Sequence, residues 1–276
     1  MAARVVIIGG GFAGSTVARL LEKDFSVTLI DTKSYFEFTP GILRTIVNPA
    51  HIKKIQVLHT HYLSRARVVI GTVSSFDTQT VRVGKERIPY EYLVIATGSS
   101  YALPIKEEHV ILAERAEHLR ARYADVCKAR EIVIVGGGLA GVELAAEIAT
   151  HYHGKQITLI HAKERLCDRN RLETSLYAKQ FLTKHGVRIM FNERVVSIKE
   201  KKLKLASGGT VDAEVVFLCT GIVPHTEFAR ASKVKVTERK ALLVNEYLQV
   251  RGKTRVFAPG DLNDSAVEKT AQHAEG

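Results

Sequence analysis

The chain has 276 residues, of which 46% are hydrophobic and 25% charged, and its formal net charge at pH 7 is +11. This composition is typical of a globular protein with a hydrophobic core, and the length suits one large domain or two smaller ones. No apolar run reaches the roughly 18 to 20 residues that a membrane-spanning helix needs. An apolar strand is under way by Val5, which leaves no room for a signal peptide, so we expect a cytoplasmic protein.

The positive charge raises the question of a nucleic-acid or lipid partner. Lys and Arg are spread along the chain, with short clusters at residues 120–130 and 199–204. Neither cluster carries the repeated aromatic residues that are typical of single-stranded nucleic-acid binding. We therefore expect no nucleic-acid partner and interpret most of these charges as solvated surface. A weak peripheral attraction to anionic lipid headgroups stays open.

The beginning of the chain has the pattern of a β-α-β unit of about 30 residues. A continuous apolar run at residues 4–8 predicts a strand buried on both faces. Glycines up to Gly14 follow, then apolar residues at helical spacing, then a second apolar strand that ends at Asp31. Two more strands are predicted at 67–70 and 92–96, with a small antiparallel meander at 71–90 between them.

The same order of elements returns in the second half of the chain. Strands are predicted at 131–135, 157–160 and 187–191, helices at 138–151 and 172–185, and a meander at 194–218. A last strand at 255–258 precedes a helix that we expect to begin near Ser265. The repeat occupies residues 5–98 and 132–221, and residues 99–130 form the crossover. The sequence therefore predicts an α/β protein with two Rossmann-like dinucleotide-binding domains, each a parallel sheet with helices and a small antiparallel β-meander.

Each copy of the repeat carries a GxGxxG turn between its first strand and its first helix, at Gly9, Gly11, Gly14 and at Gly136, Gly138, Gly141. The first glycine allows the tight turn, the second lets a pyrophosphate approach the backbone, and the third lets helix and strand pack closely. The helix N-terminus offers free N–H groups and a positive dipole to phosphates. A single such motif is weakly diagnostic, but two copies in this strand–turn–helix context predict two dinucleotide sites.

The two copies differ at the end of their second strand. Asp31 lies 22 residues after Gly9, where a carboxylate can accept both hydroxyls of an adenosine ribose. The second copy has His161 at this point, followed by Lys163 and Arg165. Without a carboxylate a ribose 2′-phosphate is not repelled, and nearby cations attract it, so NADPH would be accepted beside NADH. The alternative, that these are surface charges unrelated to the ligand, stays equally open.

These motifs resemble the FAD/NAD(P)-dependent pyridine nucleotide oxidoreductase superfamily. The similarity is to the branch of type II NADH:quinone oxidoreductases and apoptosis-inducing-factor-like quinone reductases. It rests on the two glycine turns with Asp31, on Glu143 after the second turn, and on the stretches 96–98, 220–221 and 256–261. It covers almost the whole chain, and the set in this order is highly specific for the superfamily.

The resemblance implies that residues 1–105 and 245–276 form a discontinuous FAD-binding domain and that 106–244 bind NADH or NADPH. The residues that it implies around FAD are Gly9, Gly11, Phe12, Ala13, Gly14, Asp31, Thr32, Lys33, Pro40, Val73, Ala96, Thr97, Gly98, Gly260, Asp261, Thr270 and Ala271. Those that it implies around the nicotinamide dinucleotide are Gly136, Gly138, Leu139, Ala140, Gly141, Glu143, His161, Lys163, Thr220 and Gly221.

Two residues are expected to be catalytic. The resemblance places Glu143 near the nicotinamide and the flavin, where it would position the nicotinamide or buffer a proton. Gln272 lies in a segment similar to the family's cover over the flavin, on the side facing the quinone. The segment 38–43 similarly matches a loop over the flavin, although an ordinary proline turn would have the same sequence. The implied activity passes hydride from NADH or NADPH to FAD and then electrons to a quinone-like acceptor.

Other readings remain at this point. The stretch 36–48 has no cysteine, which excludes the dithiol relay of the disulfide reductases. The isolated cysteines Cys127, Cys167 and Cys219 give no metal site and little support for sulfide oxidation. A slowly turning NAD(P)H-binding flavoprotein that acts as a redox-responsive binding or signalling module is the alternative function. The family's C-terminal domain is absent or truncated, so a homodimer and membrane contact through that region stay open.

Overall fold

The computed structural model describes residues 2–100, 112–266 and 269–275. The first copy of the repeat contains β1 (Arg4–Ile8), α1 (Phe12–Leu21), β2 (Ser26–Asp31), β3 (Tyr35–Glu37), α2 (Ile42–Thr45), α3 (Ile52–Ile55), β4 (Gln56–Leu58), α4 (His59–Tyr62), β5 (Arg67–Ile70), β6 (Val73–Phe76), β7 (Thr80–Val83), β8 (Glu86–Pro89), β9 (Tyr92–Ile95) and β10 (Ser99–Ser100). Single turns of 3-10 helix lie at Thr39–Gly41 and Pro49–His51.

Helix α5 (Leu112–Lys128) connects the two copies, and Pro104 of the predicted crossover lies outside the described residues. The second copy contains β11 (Glu131–Val135), α6 (Leu139–His151), β12 (Gln156–Ile160), α7 (Leu172–Lys184), β13 (Arg188–Met190), β14 (Val195–Lys199), β15 (Lys202–Leu205), β16 (Thr210–Asp212) and β17 (Val215–Leu218). The chain then continues through β18 (Val223–Pro224), α8 (Phe228–Ala231), β19 (Val256–Phe257) and α9 (Ala271–Glu275).

Each copy forms a parallel sheet covered on both faces, which confirms the predicted fold class. The sheets have the strand orders β19-β9-β1-β2-β5 and β13-β12-β11-β17. In β1, Val5 and Ile7 pack towards Ala18 of α1, whereas Val6 and Ile8 pack towards the meander. Burial on both sides explains why the strand is a continuous apolar run.

The central strand of the second sheet is buried in the same way. Ile132 and Ile134 of β11 pack in a cluster with Leu144 of α6, and Val133 packs with Leu203 of the second meander. The two predicted meanders are the antiparallel sheets β6-β7-β8 and β14-β15-β16. No helix in the described part of the chain has both the length and the apolarity to cross a bilayer.

The helix expected near Ser265 begins instead at Ala271, so that prediction was wrong. The backbone N–H and hydroxyl of Ser265 both donate to Oδ1 of Asn263, at 3.1 and 2.6 Å. Lys269 donates to the same oxygen at 2.7 Å. Asn263 therefore ties this stretch into a side-chain-capped turn, which competes with a helical start.

The second predicted domain ends at residue 244, but some of its last residues pack elsewhere. Phe228, Ala229 and Leu242 lie in the same core cluster as Val6 and Ile8 of β1. This packing favours a return of the chain to the first unit before Phe228. The exact division of the chain into domains stays a prediction.

Helix α2 and the residues just after it join the two units. Leu43, Ile46 and Val47 are buried in the core cluster that contains Leu144 of α6. Arg44 of α2 donates to Glu147 Oε1 from Nε at 3.0 Å and from Nη2 at 2.8 Å. The stretch that follows the proline turn is therefore anchored on the first helix of the second copy.

A buried ion pair between Arg115 and Glu37 holds the residues just before the proline turn. The Arg115 guanidinium on α5 donates from Nε to Glu37 Oε1 at 3.2 Å and from Nη2 to Oε2 at 3.0 Å. The two side chains are 1% and 4% exposed, and Gln56 also donates to Glu37 at 2.7 Å. A buried pair of this kind is costly to break, because one partner is left as an uncompensated charge.

We expect Arg115→Leu to lower the free energy of unfolding by about 3 kcal/mol, because Glu37 would stay buried without its cation. Urea denaturation of the purified protein measures this change. Arg67→Leu is the matched control, since its pair with Glu86 is exposed and should contribute no more than about 1 kcal/mol. Equal losses in both variants would contradict the account.

Candidate functional site

The first glycine turn is tightly packed at Gly9 and Gly14 and open at Gly11. Gly9 has φ = +98°, and its N–H donates to the Ile30 carbonyl at 2.7 Å. A Cβ on Gly9 would overlap the Ala96 carbonyl, and one on Gly14 would overlap the Gly9 carbonyl. Around Gly11, in contrast, no described atom lies within 4 Å of the position of a Cβ. The open glycine is the one at which a pyrophosphate approaches the backbone in this motif.

Helix α1 begins directly behind that opening. Gly11 is its N-cap, and no side chain caps the helix there. The first N–H groups of a helix have no intrahelical partners, and together with the helix dipole they attract anions. The turn therefore fits the diphosphate of a dinucleotide by shape and by charge.

Other predicted FAD residues gather around the start of α1. A Cβ on Gly260 would lie 3.6 Å from the Ala13 Cβ, so the 260–261 turn is next to the helix. The Ser99 hydroxyl donates to Asp261 Oδ2 at 2.6 Å, and Ala96 N–H donates to the Ile8 carbonyl at 2.7 Å. The ends of β1, β9 and β19 thus meet at one edge of the sheet, where ligands bind in such folds.

The link between the two copies passes through the predicted Thr97–Gly98 turn. The Thr97 hydroxyl donates to the His225 carbonyl at 2.8 Å, and the His225 N–H donates to the Gly98 carbonyl at 3.0 Å. Gly98 has φ = +66°, in the left-handed region that favours glycine. Strands β10 and β18 pair immediately beyond this point and join the two units.

The Asp31 carboxylate, at the end of β2, is already engaged within the protein. Its Oδ2 accepts the Gly10 N–H at 3.0 Å and contacts His59 Nε2 at 3.1 Å. Among the described residues, its Oδ1 receives the long contacts of Lys33 N–H at 3.3 Å and the Thr32 hydroxyl at 3.4 Å. One oxygen, rather than both, therefore keeps acceptor capacity for a ribose hydroxyl. His59 was not predicted, since nothing in its local sequence marks it.

The proline turn lies close to the start of α1. Phe12 contacts Phe36 and Phe38 edge-on, with ring centroids 5.2 and 5.6 Å apart. Pro40 is exposed within the 3-10 turn that follows. Val73 begins β6 and packs partly against the core of the first copy. The proline turn thus lies close to α1. A role of Val73 in FAD binding stays a prediction.

The second glycine turn repeats the geometry of the first. Gly136 has φ = +111°, and a Cβ on it would overlap the Cys219 carbonyl, just before Thr220 and Gly221. A Cβ on Gly138 would meet no described atom within 4 Å, and Gly138 is the N-cap of α6 without a side-chain cap. The predicted residues that share this turn or the start of α6 are Gly136, Gly138, Leu139, Ala140 and Gly141.

His161 occupies the place that Asp31 has in the first copy. Its Nδ1 accepts the Gly137 N–H at 3.0 Å, as Asp31 accepts that of Gly10. Its Nε2 is buried without a hydrogen-bond partner among the described residues, since Asp168 Oδ1 is 3.9 Å away. Burial lowers the pKa of His161, with Asp168 opposing the shift. Because Nδ1 accepts the Gly137 N–H, the ring carries its proton on Nε2.

A cavity of about 450 Å³ lies beside His161 at the end of β12. It is lined by Ala162, Lys163, Glu164, Arg165, Asp168 and Asn192. The Arg165 guanidinium donates to the carbonyls of Asn170 and Asp168, which holds it within its own loop. Lys163 is exposed at the cavity and available to an anion. Asp168 and Asn192 were not predicted, because neither belongs to a motif.

Glu143 and Glu147 lie one turn apart on α6. The Glu143 side chain reaches solvent, but the surrounding protein desolvates its carboxyl, and this raises the pKa of Glu143. The Glu147 carboxylate raises the same pKa further by repulsion. Because Glu147 also binds Arg44, the acid predicted to be catalytic is electrostatically linked to the first unit.

The predicted cover segment forms the short helix α9, which lies against α1. The Thr270 hydroxyl hydrogen-bonds His273 Nδ1 at 2.9 Å, and Thr270 precedes Ala271, the first residue of the helix. Gln272 is exposed on α9. Its neighbourhood to the start of α1 agrees with a place near a flavin, and its catalytic role stays a prediction.

Comparison with known proteins identifies relatives along nearly the whole chain. The ferroptosis suppressor protein 1 of Taeniopygia guttata is 34% identical over 287 residues, covering 98% of this chain and 77% of that protein. The human protein of the same name is 33% identical, with 98% and 76% covered. Apoptosis-inducing factor homolog A of Dictyostelium discoideum is 30% identical, with 98% and 73% covered.

Solved structures share the fold at lower identity. The reduced CoADR-RHD of Bacillus anthracis superposes with a TM-score of 0.82 at 19% identity, covering the whole of this chain and 55% of that one. NDH2 of Plasmodium falciparum in complex with NADH has a TM-score of 0.79 at 19% identity, with 95% and 64% covered. This chain thus spans somewhat more than half the length of these solved chains.

A family model described as pyridine nucleotide-disulphide oxidoreductase matches residues 3–276. The match includes both glycine turns, the 220–221 turn and the 260–261 turn, which the structure brings to the ends of the two parallel sheets. The chain belongs to the pyridine nucleotide-disulphide oxidoreductase family, whose members are oxidoreductases that depend on FAD and NAD(P)H.

Proposed function

We propose that this chain takes hydride from NADH or NADPH onto a resident FAD and passes the electrons to a quinone-like acceptor. One observation carries the proposal. The two open glycine turns have the same backbone geometry, but they differ in the side chain that accepts the N–H of Gly10 or Gly137. Asp31 does so in the first turn and His161 in the second. Two different dinucleotides, one resident and one exchangeable, fit this difference.

The first turn suits FAD. The uncapped N-terminus of α1 would receive the diphosphate, and Asp31 Oδ1 would accept a hydroxyl of the adenosine ribose. Asp261, oriented by the Ser99 hydroxyl, would bind the ribitol chain. When bound, FAD supplies the two-electron chemistry that no side chain of this protein offers.

The second turn suits a nicotinamide dinucleotide. The N-terminus of α6 would receive its diphosphate, and the cavity beside His161 would receive its adenosine end. Glu143 lies on the first turns of the same helix, where its carboxyl would orient the nicotinamide or hold a proton. The protein's own contribution is thus placement and electrostatics.

The acceptor is assigned by resemblance and by residue identity. The stretch beside the start of α1 has aromatic residues and a proline turn where disulfide reductases have a pair of cysteines. Of the three free cysteines, Cys167 is buried, Cys127 is exposed on α5 and Cys219 is partly buried beside Gly136. A quinone, which needs no thiol partner, fits this surface better than a disulfide does.

The proposal is tested by adding NADH anaerobically to the FAD-loaded protein. We expect the visible flavin absorbance to bleach within seconds and to return when a soluble quinone is added. A protein that stays colourless after incubation with FAD would contradict the proposal. A slow, stable reduced complex without steady-state turnover would instead favour the redox-responsive binding module.

The pH dependence of flavin reduction tests the role of Glu143. Glu147 raises the pKa of Glu143, so Glu147→Gln should lower it and move the acidic limb of the rate profile to lower pH. Arg44→Gln should move the limb to higher pH, because Glu147 would lose its neutralising partner. Stopped-flow reduction by NADH between about pH 5 and 9 measures both.

These two variants control for each other, since both break the same ion pair between α2 and α6. A purely structural effect would move the two profiles in the same direction. Shifts of the same sign, or none, would remove Glu143 from the proposed mechanism.

The cavity beside His161 predicts the cofactor preference. Lys163→Glu should raise the KM for NADPH about tenfold relative to that for NADH, because the 2′-phosphate would lose a cation and meet a carboxylate. Lys199→Glu, on the exposed edge of the second meander, is the control and should change neither KM. Equal KM changes for the two nucleotides in Lys163→Glu would show that Lys163 is a surface charge unconnected to the ligand.

A further inference from the structure

We propose that His59, supported by Tyr62, positions the Asp31 carboxylate for the adenosine ribose and thereby sets how tightly FAD is held. This inference rests on the proposed function, in which the first turn binds FAD. The two ring nitrogens of His59 contact Asp31 and Tyr62. His59 and Tyr62 act as positioning residues through Asp31.

His59 is held rigidly beneath the turn. Its side chain is fully buried at the start of α4, and its backbone N–H donates to the Ser34 carbonyl at 3.0 Å. Its Nε2 lies 3.1 Å from Asp31 Oδ2, and its Nδ1 lies 2.7 Å from the Tyr62 hydroxyl. Both ring nitrogens of His59 therefore have partners, whereas His161 has a partner on Nδ1 and none among the described residues on Nε2.

The direction of these hydrogen bonds follows from the groups involved. An ionised carboxylate only accepts, so His59 donates from Nε2 to Asp31. The other ring nitrogen, Nδ1, lies within hydrogen-bond distance of the Tyr62 hydroxyl, at 2.7 Å. Burial first, and the charge of Asp31 second, raise the pKa of Tyr62, so its proton is retained. Ser15 on α1 and the Arg19 guanidinium oppose this rise in the pKa of Tyr62.

The identity of Gly10 shows how closely this pair packs. A Cβ on Gly10 would lie 2.5 Å from Asp31 Oδ2 and 2.7 Å from His59 Nε2, and it would overlap the His59 ring. Gly10 is the residue that the GxGxxG pattern leaves free. In this chain the space above Gly10 Cα is filled by the Asp31–His59 pair, so glycine is required there as well.

The pair determines which oxygen is left for a ligand. Gly10 N–H and His59 Nε2 together satisfy Oδ2 and prevent the carboxylate from rotating. Oδ1 keeps acceptor capacity, because its two contacts of 3.3 and 3.4 Å are long. Without His59 the carboxylate would lose its strongest side-chain donor and its fixed orientation. Among the described residues, nothing supports His161 Nε2 in the second copy in this way, as expected for a cofactor that leaves after each turnover.

The experiment compares FAD with FMN, which has the same isoalloxazine and ribitol phosphate but no adenosine. Deflavinated protein is titrated with each flavin. We expect His59→Leu to weaken FAD binding at least about tenfold and FMN binding by no more than about twofold, because only FAD reaches Asp31. His59→Gln, which restores a donor, should recover most of the FAD affinity.

Two further variants keep the test decisive. Tyr62→Phe keeps the ring and should weaken FAD binding severalfold with FMN unchanged, which tests the idea even if His59→Leu does not fold. Ser232→Ala removes a buried hydrogen bond from the Phe76 N–H that does not involve Asp31, and it should leave both affinities unchanged.

Equal weakening of FAD and FMN by His59→Leu would assign His59 a structural role only and overturn the inference. Unchanged FAD affinity in both His59→Leu and Tyr62→Phe would overturn it as well. If the unmodified protein binds no FAD at all, the proposed function fails and this inference fails with it, whereas the two outcomes above overturn the inference alone.

Discussion

The structure depends on one close backbone approach, made twice. At Gly9 and Gly136 the chain turns so tightly that a neighbouring carbonyl, from Ala96 or Cys219, occupies the space of a side chain. This approach sets the end of one strand against the start of a helix and leaves the helix N-terminus uncapped. Phosphate binding, the meeting of strand ends and the packing of α1 and α6 on their sheets all follow from it.

The difference between the two copies lies beneath this shared backbone. In each copy a side chain at the end of the second strand accepts the N–H of the middle glycine, Gly10 or Gly137. The first copy uses a charged Asp31 that is supported by a buried histidine. The second uses His161, whose Nε2 has no hydrogen-bond partner within the described part of the chain and which lies next to an open cavity. In the proposed function, the same backbone would hold one cofactor firmly and exchange another.

The sequence predicted most of the fold because burial on both sheet faces produces continuous apolar runs, as at residues 4–8 and 131–135. It predicted the turns because only glycine permits their close approaches. It did not predict the start of α9, since a turn held by the Asn263 side chain has no periodic signal. It also missed His59 and the Arg44–Glu147 pair, whose partners lie 28 and 103 residues apart along the chain. Such contacts are set by tertiary packing, which no local pattern records.

The most direct test of the central claim is a crystal structure of this chain with FAD and NAD⁺ bound together. We predict the FAD diphosphate at the N–H groups of Gly11 and Phe12, with its adenosine ribose on Asp31 Oδ1. We predict the NAD⁺ diphosphate at Gly138 and Leu139, with its adenosine end in the cavity beside His161. FAD bound at the second turn, or the same nucleotide bound at both turns, would contradict the account.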